Sequence, residues 1–284
     1  MAYYLNDEQI KQINMEVALV NQEYTPTAPG ILREEIFKLL EKVGTLIFYP
    51  INEKDLWGVY VCRNEKHYFI INSSIELEKQ VFAGAHELAH SILDIAKAKF
   101  EIVTADLMTE YVNHTEYGPE IEKADAIANR FAAELLVGKK KLEEKYKELP
   151  PSYSSLVKAV ILSDIFLVPY KTIIKRFVET ELITDTNEIT NLLEVKCEQI
   201  ENIAERYECC RRNYEITEAT YLGGYINKAL MLYENELSTY KELESALSLI
   251  QKSPEDFGIE SFDINEFLRR ASECSEVEED DGED

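Results

Sequence analysis

Four histidines occur in the chain, and two of them bracket a glutamate in the run His86-Glu87-Leu88-Ala89-His90. On an α-helix, positions i and i+4 sit one above the other on the same face, so His86 and His90 can hold one ion between them. Glu87 lies about 100° round the helix from His86, at the edge of that face. A carboxylate there reaches a water on the ion without ligating the ion itself. Two imidazoles on Zn²⁺ beside a general base form an arrangement suited to hydrolysis. The flanking residues supply the helix. Val81, Phe82, Ala85, Leu88, Ala89, Ile92 and Leu93 make it apolar nearly all round, and a helix of that kind belongs in a core. Unpartnered buried imidazoles and carboxylates cost several kcal/mol, and a metal would satisfy all three groups.

Catalytic zinc keeps three protein ligands and one open position. Candidates for the third lie in residues 121–137, a second helical stretch with Ala124, Ala128, Phe131, Ala132 and Leu135 on one side. Its small residues allow close approach to the first helix. Asp125 and Asn129 are i, i+4, so one can ligate while the other hydrogen-bonds a ligating imidazole. Glu122, one turn earlier, is the alternative ligand. A donor for a developing oxyanion is also expected, and Tyr111, His114 and Tyr117 lie between the two stretches. His67 falls in a predicted strand without a metal-spaced neighbour and reads as structural.

The elements that must position these groups follow from the rest of the chain. Its 284 residues suffice for a sizeable core and two domains. The hydrophobic share of 45% and charged share of 30% describe a soluble globular protein. A net charge of −24 opposes direct DNA binding, which requires Lys and Arg against phosphate, and opposes an anionic membrane surface. No apolar run approaches the ~18 residues of a membrane span. The five scattered cysteines contain no Cys-x-x-Cys pair and read as reduced thiols. With no basic-then-apolar start, a cytoplasmic protein is expected.

Ile10, Ile13, Val17 and Val20 predict an amphipathic helix over 5–24, broken at 25–30 by a Pro/Gly-rich stretch. A second helix is predicted at about 31–43, with Gly44 as its stop. A strand at 46–49 is followed by a hairpin of 57–62 and 67–71 around Arg63-Asn64-Glu65-Lys66. Asn72-Ser73-Ser74 then leads into the metal helix. Beyond it, 139–150 is charged and helical, and Pro150-Pro151 reads as a linker. Residues 153–179 read as two helices joined at a turn, with Pro169 opening the second. Lys158, Lys171, Lys175 and Arg176 read there as a solvated face. Residues 190–272 are helical in pattern, with breaks near Gly223-Gly224 and Ser253-Pro254 and a faint tetratricopeptide-like pair after 225. Eight of the last fourteen residues are acidic, which predicts a disordered tail.

Taken together, Asn72-Ser73-Ser74, the run from Phe82 to His90, and Ala128-Asn129-Arg130-Phe131-Ala132-Ala133-Glu134-Leu135-Leu136 resemble the ImmA/IrrE family of metallo-endopeptidases. The resemblance covers roughly residues 30–180. It implies an α+β fold: a zincin-like metalloprotease domain over 1–150 with its core at about 30–140, built from a small sheet and two metal-site helices. A helix-turn-helix-like segment over 151–185, a helical domain over 186–270 and the acidic tail over 271–284 complete the expected organisation. It implies zinc held by His86, His90 and the acidic residue six positions before Phe131, with Glu87 as general base. That position is Asp125 here, where the family has Glu. Aspartate reaches about 1.5 Å less far, so the helix must sit closer, or a water or Glu122 must complete the site. Gly138 departs from the family in a second way, standing where its second helix runs into a proline. The implied activity is cleavage of a helix-turn-helix repressor, derepressing genes of a phage, mobile element or stress response. The two departures support the alternative of a metal-binding or inactive protease-like sensor that regulates a partner by binding.

Overall fold

The computed structural model describes residues 5–24, 30–93, 119–209, 224–248 and 252–259, with only the backbone course at 119–122. The protein is α+β and mostly helical, with one small mixed sheet. It divides into two compact units, residues 1–223 and 224–284.

Helix α1 (Asp7–Tyr24) opens on a reciprocal cap: Gln9 N–H donates to Asn6 Oδ1, and Asn6 N–H to Gln9 Oε1, each at 2.9 Å. It buries Ile13, Val17 and Val20, the apolar positions expected of it. Helix α2 (Glu35–Val43) buries Ile36, Leu39 and Leu40 and stops at Gly44. A Cβ on Gly44 would lie 2.4 Å from the His67 carbonyl oxygen, so only glycine lets the chain turn there against the sheet. Strands β1 (Thr45–Tyr49), β2 (Gly58–Arg63) and β3 (Lys66–Asn72) pair in the order β1-β3-β2. β1 runs parallel to β3 and β2 antiparallel to it. The predicted hairpin is present. Its turn residues Asn64 and Glu65 both have left-handed φ, at 51° and 61°, the twist a two-residue hairpin loop requires.

The β1–β2 connection is held by one side chain. Asn72 is fully buried; its Oδ1 accepts from Ile51 N–H and Ser74 N–H at 3.0 and 2.9 Å, while its Nδ2 donates to the Glu53 and Leu56 carbonyls at 3.1 and 2.8 Å. All four hydrogen-bonding capacities of the amide are thus used.

Helix α3 (Leu77–Ile92) packs on β2, β3 and α2, and helix α4 (Pro119–Leu136) packs on α3 and α1. Gly84 brings α2 close, since a Cβ there would meet Leu40 Cδ1 at 3.3 Å. Helices α5 (Lys139–Glu148), α6 (Ser155–Phe166), α7 (Tyr170–Glu179), α8 (Thr186–Leu193) and α9 (Cys197–Arg206) follow. Their buried residues, among them Leu142, Ala159, Ile173, Phe177, Leu192 and Ala204, join those of the sheet and α1–α4 in one hydrophobic core. The core therefore continues past Pro150-Pro151, and the first unit extends well beyond the expected boundary at 150. The division falls instead at the Gly223-Gly224 break.

One expectation is corrected in α6 and α7. Lys171 and Lys175 are exposed, but Arg176 is 0% accessible and Lys158 is buried with Nζ 4.1 Å from the Tyr146 ring centroid. Half of the supposed solvated basic face is internal. In the second unit, α10 (Tyr225–Glu234) and α11 (Tyr240–Ser248) pack around Ala229, Leu243 and Leu247, followed by a short 3₁₀ turn at Pro254–Phe257. The acidic tail lies outside the described residues. Among the described residues, Cys62, Cys197 and Cys209 form no disulfide and no helix is long and apolar enough to cross a membrane.

Candidate metal centre

Helix α3 forms because its residues bury nearly all round, and that burial carries His86, Glu87 and His90 inward. His86 and His90 meet as the i, i+4 spacing requires: their Nε2 atoms are 3.0 Å apart. From α4, Asp125 Oδ1 lies 4.0 Å from His86 Nε2 and 3.9 Å from His90 Nε2. These three side chains form the one such group of potential metal ligands among the described residues, with ligand atoms all within 4.8 Å of one another. Ala128, Phe131 and Ala132 bury the face of α4 that allows this approach. The side chain of Glu122 lies outside the described residues, as do Tyr111, His114 and Tyr117.

The environment favours electron-pair donors. Burial pushes both imidazoles down to about 4, outweighing in His86 the hydrogen bond to Asn129 that acts upward. Both rings are therefore neutral at physiological pH. Asn129 Oδ1 is 3.1 Å from His86 Nδ1. An amide oxygen is an acceptor only, so the proton of His86 sits on Nδ1 and its Nε2 presents a lone pair to the cluster. His90 Nδ1 is buried and has no hydrogen-bond partner among the described residues. Two lone pairs at 3.0 Å repel unless a proton or a cation lies between them.

The donor set fits a divalent cation of the zinc class: two neutral imidazoles and a carboxylate, with the back of one imidazole fixed by an amide. Tetrahedral zinc with bonds near 2.0–2.1 Å places its ligand atoms about 3.3 Å apart. The histidine pair already lies close to that separation. Asp125 must close by about 0.6–0.7 Å, and its side chain, 54% exposed, is free to do so.

Glu87 is 7% accessible and packs against the edge strand β2. Burial, helped by the negative charge of Asp125, raises its carboxyl to about 8, against a lowering hydrogen bond from the Tyr60 backbone N–H. In the β2–β3 register, Tyr60 is opposite Phe69, between the Val61–Tyr68 and Val59–Ile70 pairs. A two-residue hairpin closing at Arg63–Lys66 makes Tyr60 a non-hydrogen-bonded position, so its N–H points away from β3 and toward Glu87. A Cβ on Gly58 would stand 3.1 Å from Glu87 Cγ and 3.2 Å from its Oε1. Sequence reasoning missed Gly58 and Tyr60. An isolated glycine within a strand pattern was the signal, because it marks close approach of another group. His67 lies elsewhere on the sheet, its Nδ1 2.7 Å from Tyr60 Oη, and takes no part in the cluster.

No protein-family model matches the chain, and no curated protein matches it.

Proposed function

We propose that the protein is a zinc-dependent endopeptidase with a zincin-like domain of the ImmA/IrrE type. The observation that carries this reading is the convergence of His86 Nε2, His90 Nε2 and Asp125 Oδ1 beside a buried glutamate that ligates nothing. His86, His90 and Asp125 would hold the zinc. When bound, Zn²⁺ supplies Lewis acidity, activating water and polarising a carbonyl. Glu87 would take the proton of the attacking water and hand it to the leaving amine. Its raised pKa suits the second task. A cation in the cluster favours the ionised form that the first task needs. Asn129 fixes the tautomer and orientation of His86, and the Tyr60 N–H orients Glu87.

By the resemblance of its two metal helices, the substrate is a helix-turn-helix repressor, cleaved in the cytoplasm to switch on genes of a phage, mobile element or stress response. The α6–α7 pair, with Pro169 at its second helix, provides a helix-turn-helix-like element whose buried Lys158 and Arg176 suit scaffolding better than DNA contact. The second reading is a metal-binding sensor without protease activity. The exposed, short Asp125 at the third position favours it.

The test is metal analysis of the purified protein, followed by incubation of wild type and Glu87→Gln with candidate repressors. Stoichiometric zinc with Glu87-dependent cleavage supports the endopeptidase. Zinc with identical behaviour of both proteins supports the sensor, and wild type that takes up no zinc on loading refutes both.

A further inference from the structure

Among the described residues, Arg176 is the largest side chain wholly removed from solvent. From α7 its Nε donates to the Val137 carbonyl just beyond α4 at 2.9 Å, and its two terminal nitrogens to Glu134 Oε2 at 2.7 Å and Glu179 Oε2 at 2.6 Å. Arg130 on α4 donates to the same two carboxylates, at 3.3 Å to Glu134 and in a short contact to Glu179. Two cations and two anions thus close a ring across α4 and α7. Such a ring is a poor way to gain stability, because a well-packed apolar substitute is often neutral or better. What it does confer is registry. Each guanidinium fork fits its carboxylates in one geometry, and a slide or rotation of α4 breaks several charge-assisted bonds at once.

Two side chains on α4 require that registry. Asp125 and Asn129 occupy the same helix, Asp125 about a turn and a half before Arg130 and Asn129 next to it, and a helix transmits axial displacement over such a span. Asp125 has a short arm and already stands 3.9–4.0 Å from its neighbours, so it tolerates less displacement of α4 than a glutamate would.

We propose that Arg176, acting through the Glu134–Arg130–Glu179 ring, is a positioning residue for the metal centre: it sets the height of α4 on α3 and so brings Asp125 and Asn129 to the histidine pair. The inference rests on the metal reading above and extends it to a residue on a different helix, 51 positions from Asp125 along the chain.

The test uses the full chain and the metals alone. Zn²⁺ affinity is measured by competition with a chromophoric chelator, and the Co²⁺ absorption spectrum reports coordination, for wild type, Arg176→Met, Asp125→Ala and the double variant. Arg176→Met, an apolar replacement of similar length, is expected to melt cooperatively and to lose about 10–100-fold in affinity, the loss usual for outer partners of a metal site. In the Asp125→Ala background the same substitution is expected to cost clearly less, because only the part of its effect that passes through Asn129 remains. A folded Arg176→Met with wild-type affinity and Co²⁺ spectrum overturns the proposal, as does an equal loss in both backgrounds. Should Arg176→Met fail to fold, Glu179→Gln replaces it with the same two criteria. Wild type that binds neither metal overturns the metal reading itself, whereas binding that needs Asp125 but ignores Arg176 overturns only this inference.

Discussion

Helix α4 takes part in two polar clusters, and they are chemical opposites. Toward its C-terminal end, Arg130 and Glu134 meet Arg176 and Glu179, so that cation and anion are matched. Earlier on the same helix, Asp125 and Asn129 meet two imidazoles, the charge of Asp125 acts on Glu87, and every group offers an electron pair while none brings a positive charge. A buried set of acceptors without a cation is costly in isolation. The charge-matched cluster reads as architecture, and the one without a cation as a place for something to bind. The same helix serves both, which ties the precision of one to the integrity of the other.

The sharpest way to break this contrast is to remove a donor from the unsatisfied cluster. His86→Ala or His90→Ala is expected to lower Zn²⁺ affinity by roughly a thousandfold or more, taking the apparent binding energy of a structural zinc as shared among three or four ligands. Metal analysis after gel filtration checks it, and full retention of zinc in either variant would end the reading. Glu87→Gln should keep the metal while lowering peptide hydrolysis by about 10²–10⁴-fold, the usual contribution of a general base. In the matched cluster the effect should appear as stability. Arg176→Ala leaves Glu134 and Glu179 to share Arg130 alone and is expected to cost about 3–5 kcal/mol in chemical denaturation; Arg176→Met, which loses the same charge but fills more of the space, costs somewhat less. Asn129→Ala is a milder perturbation, expected to weaken zinc binding by about 10–100-fold with little change in melting temperature.

The smallest effect is a pH signature of the metal-free protein. His86 and His90 titrate near 4 when folded and near 6.5 when unfolded, so between those values the unfolded chain binds more protons and stability falls as pH drops. Glu87 behaves in the opposite sense: it holds a proton when folded up to about 8, against 4.5 unfolded, so stability falls as pH rises through that window. Below 6.5 the two histidines outweigh the one glutamate; above it only the glutamate acts. Denaturation of the metal-free protein should therefore show this cluster contributing most near pH 6.5, with limbs of about 1.4 kcal/mol per pH unit. Glu87→Gln should flatten the alkaline limb and leave a slope on the acid side. An alkaline limb unchanged by that substitution would remove Glu87 from the buried cluster.

The unsatisfied cluster was largely legible in the sequence, and the matched one was not. His86, Glu87 and His90 announce themselves because one helical turn brings them together, and the Asp125–Asn129 pair obeys the same spacing. The hairpin was equally plain, its Asn64-Glu65 turn flanked by apolar strands. Arg176 looked like part of a solvated face because local composition cannot reveal that Glu134, 42 residues away, stands opposite it. The boundary at Pro150-Pro151 misled for a related reason: proline marks where a helix must stop, and says nothing of whether the next helix returns to the same core. Gly58 carried a signal, but what it accommodates is a side chain from another element.

Asn72 has a consequence of its own. The segment from Ile51 to Leu56 that delivers Gly58 and the edge strand to the roof over Glu87 belongs to no helix or strand. Its shape is borrowed from a single carboxamide that grips it at three points. Exchanging that amide nitrogen for oxygen, as in Asn72→Asp, would turn two attractions to carbonyl groups into repulsions while barely altering volume. One side-chain atom thus governs how steadily the strand edge packed against Glu87 is held.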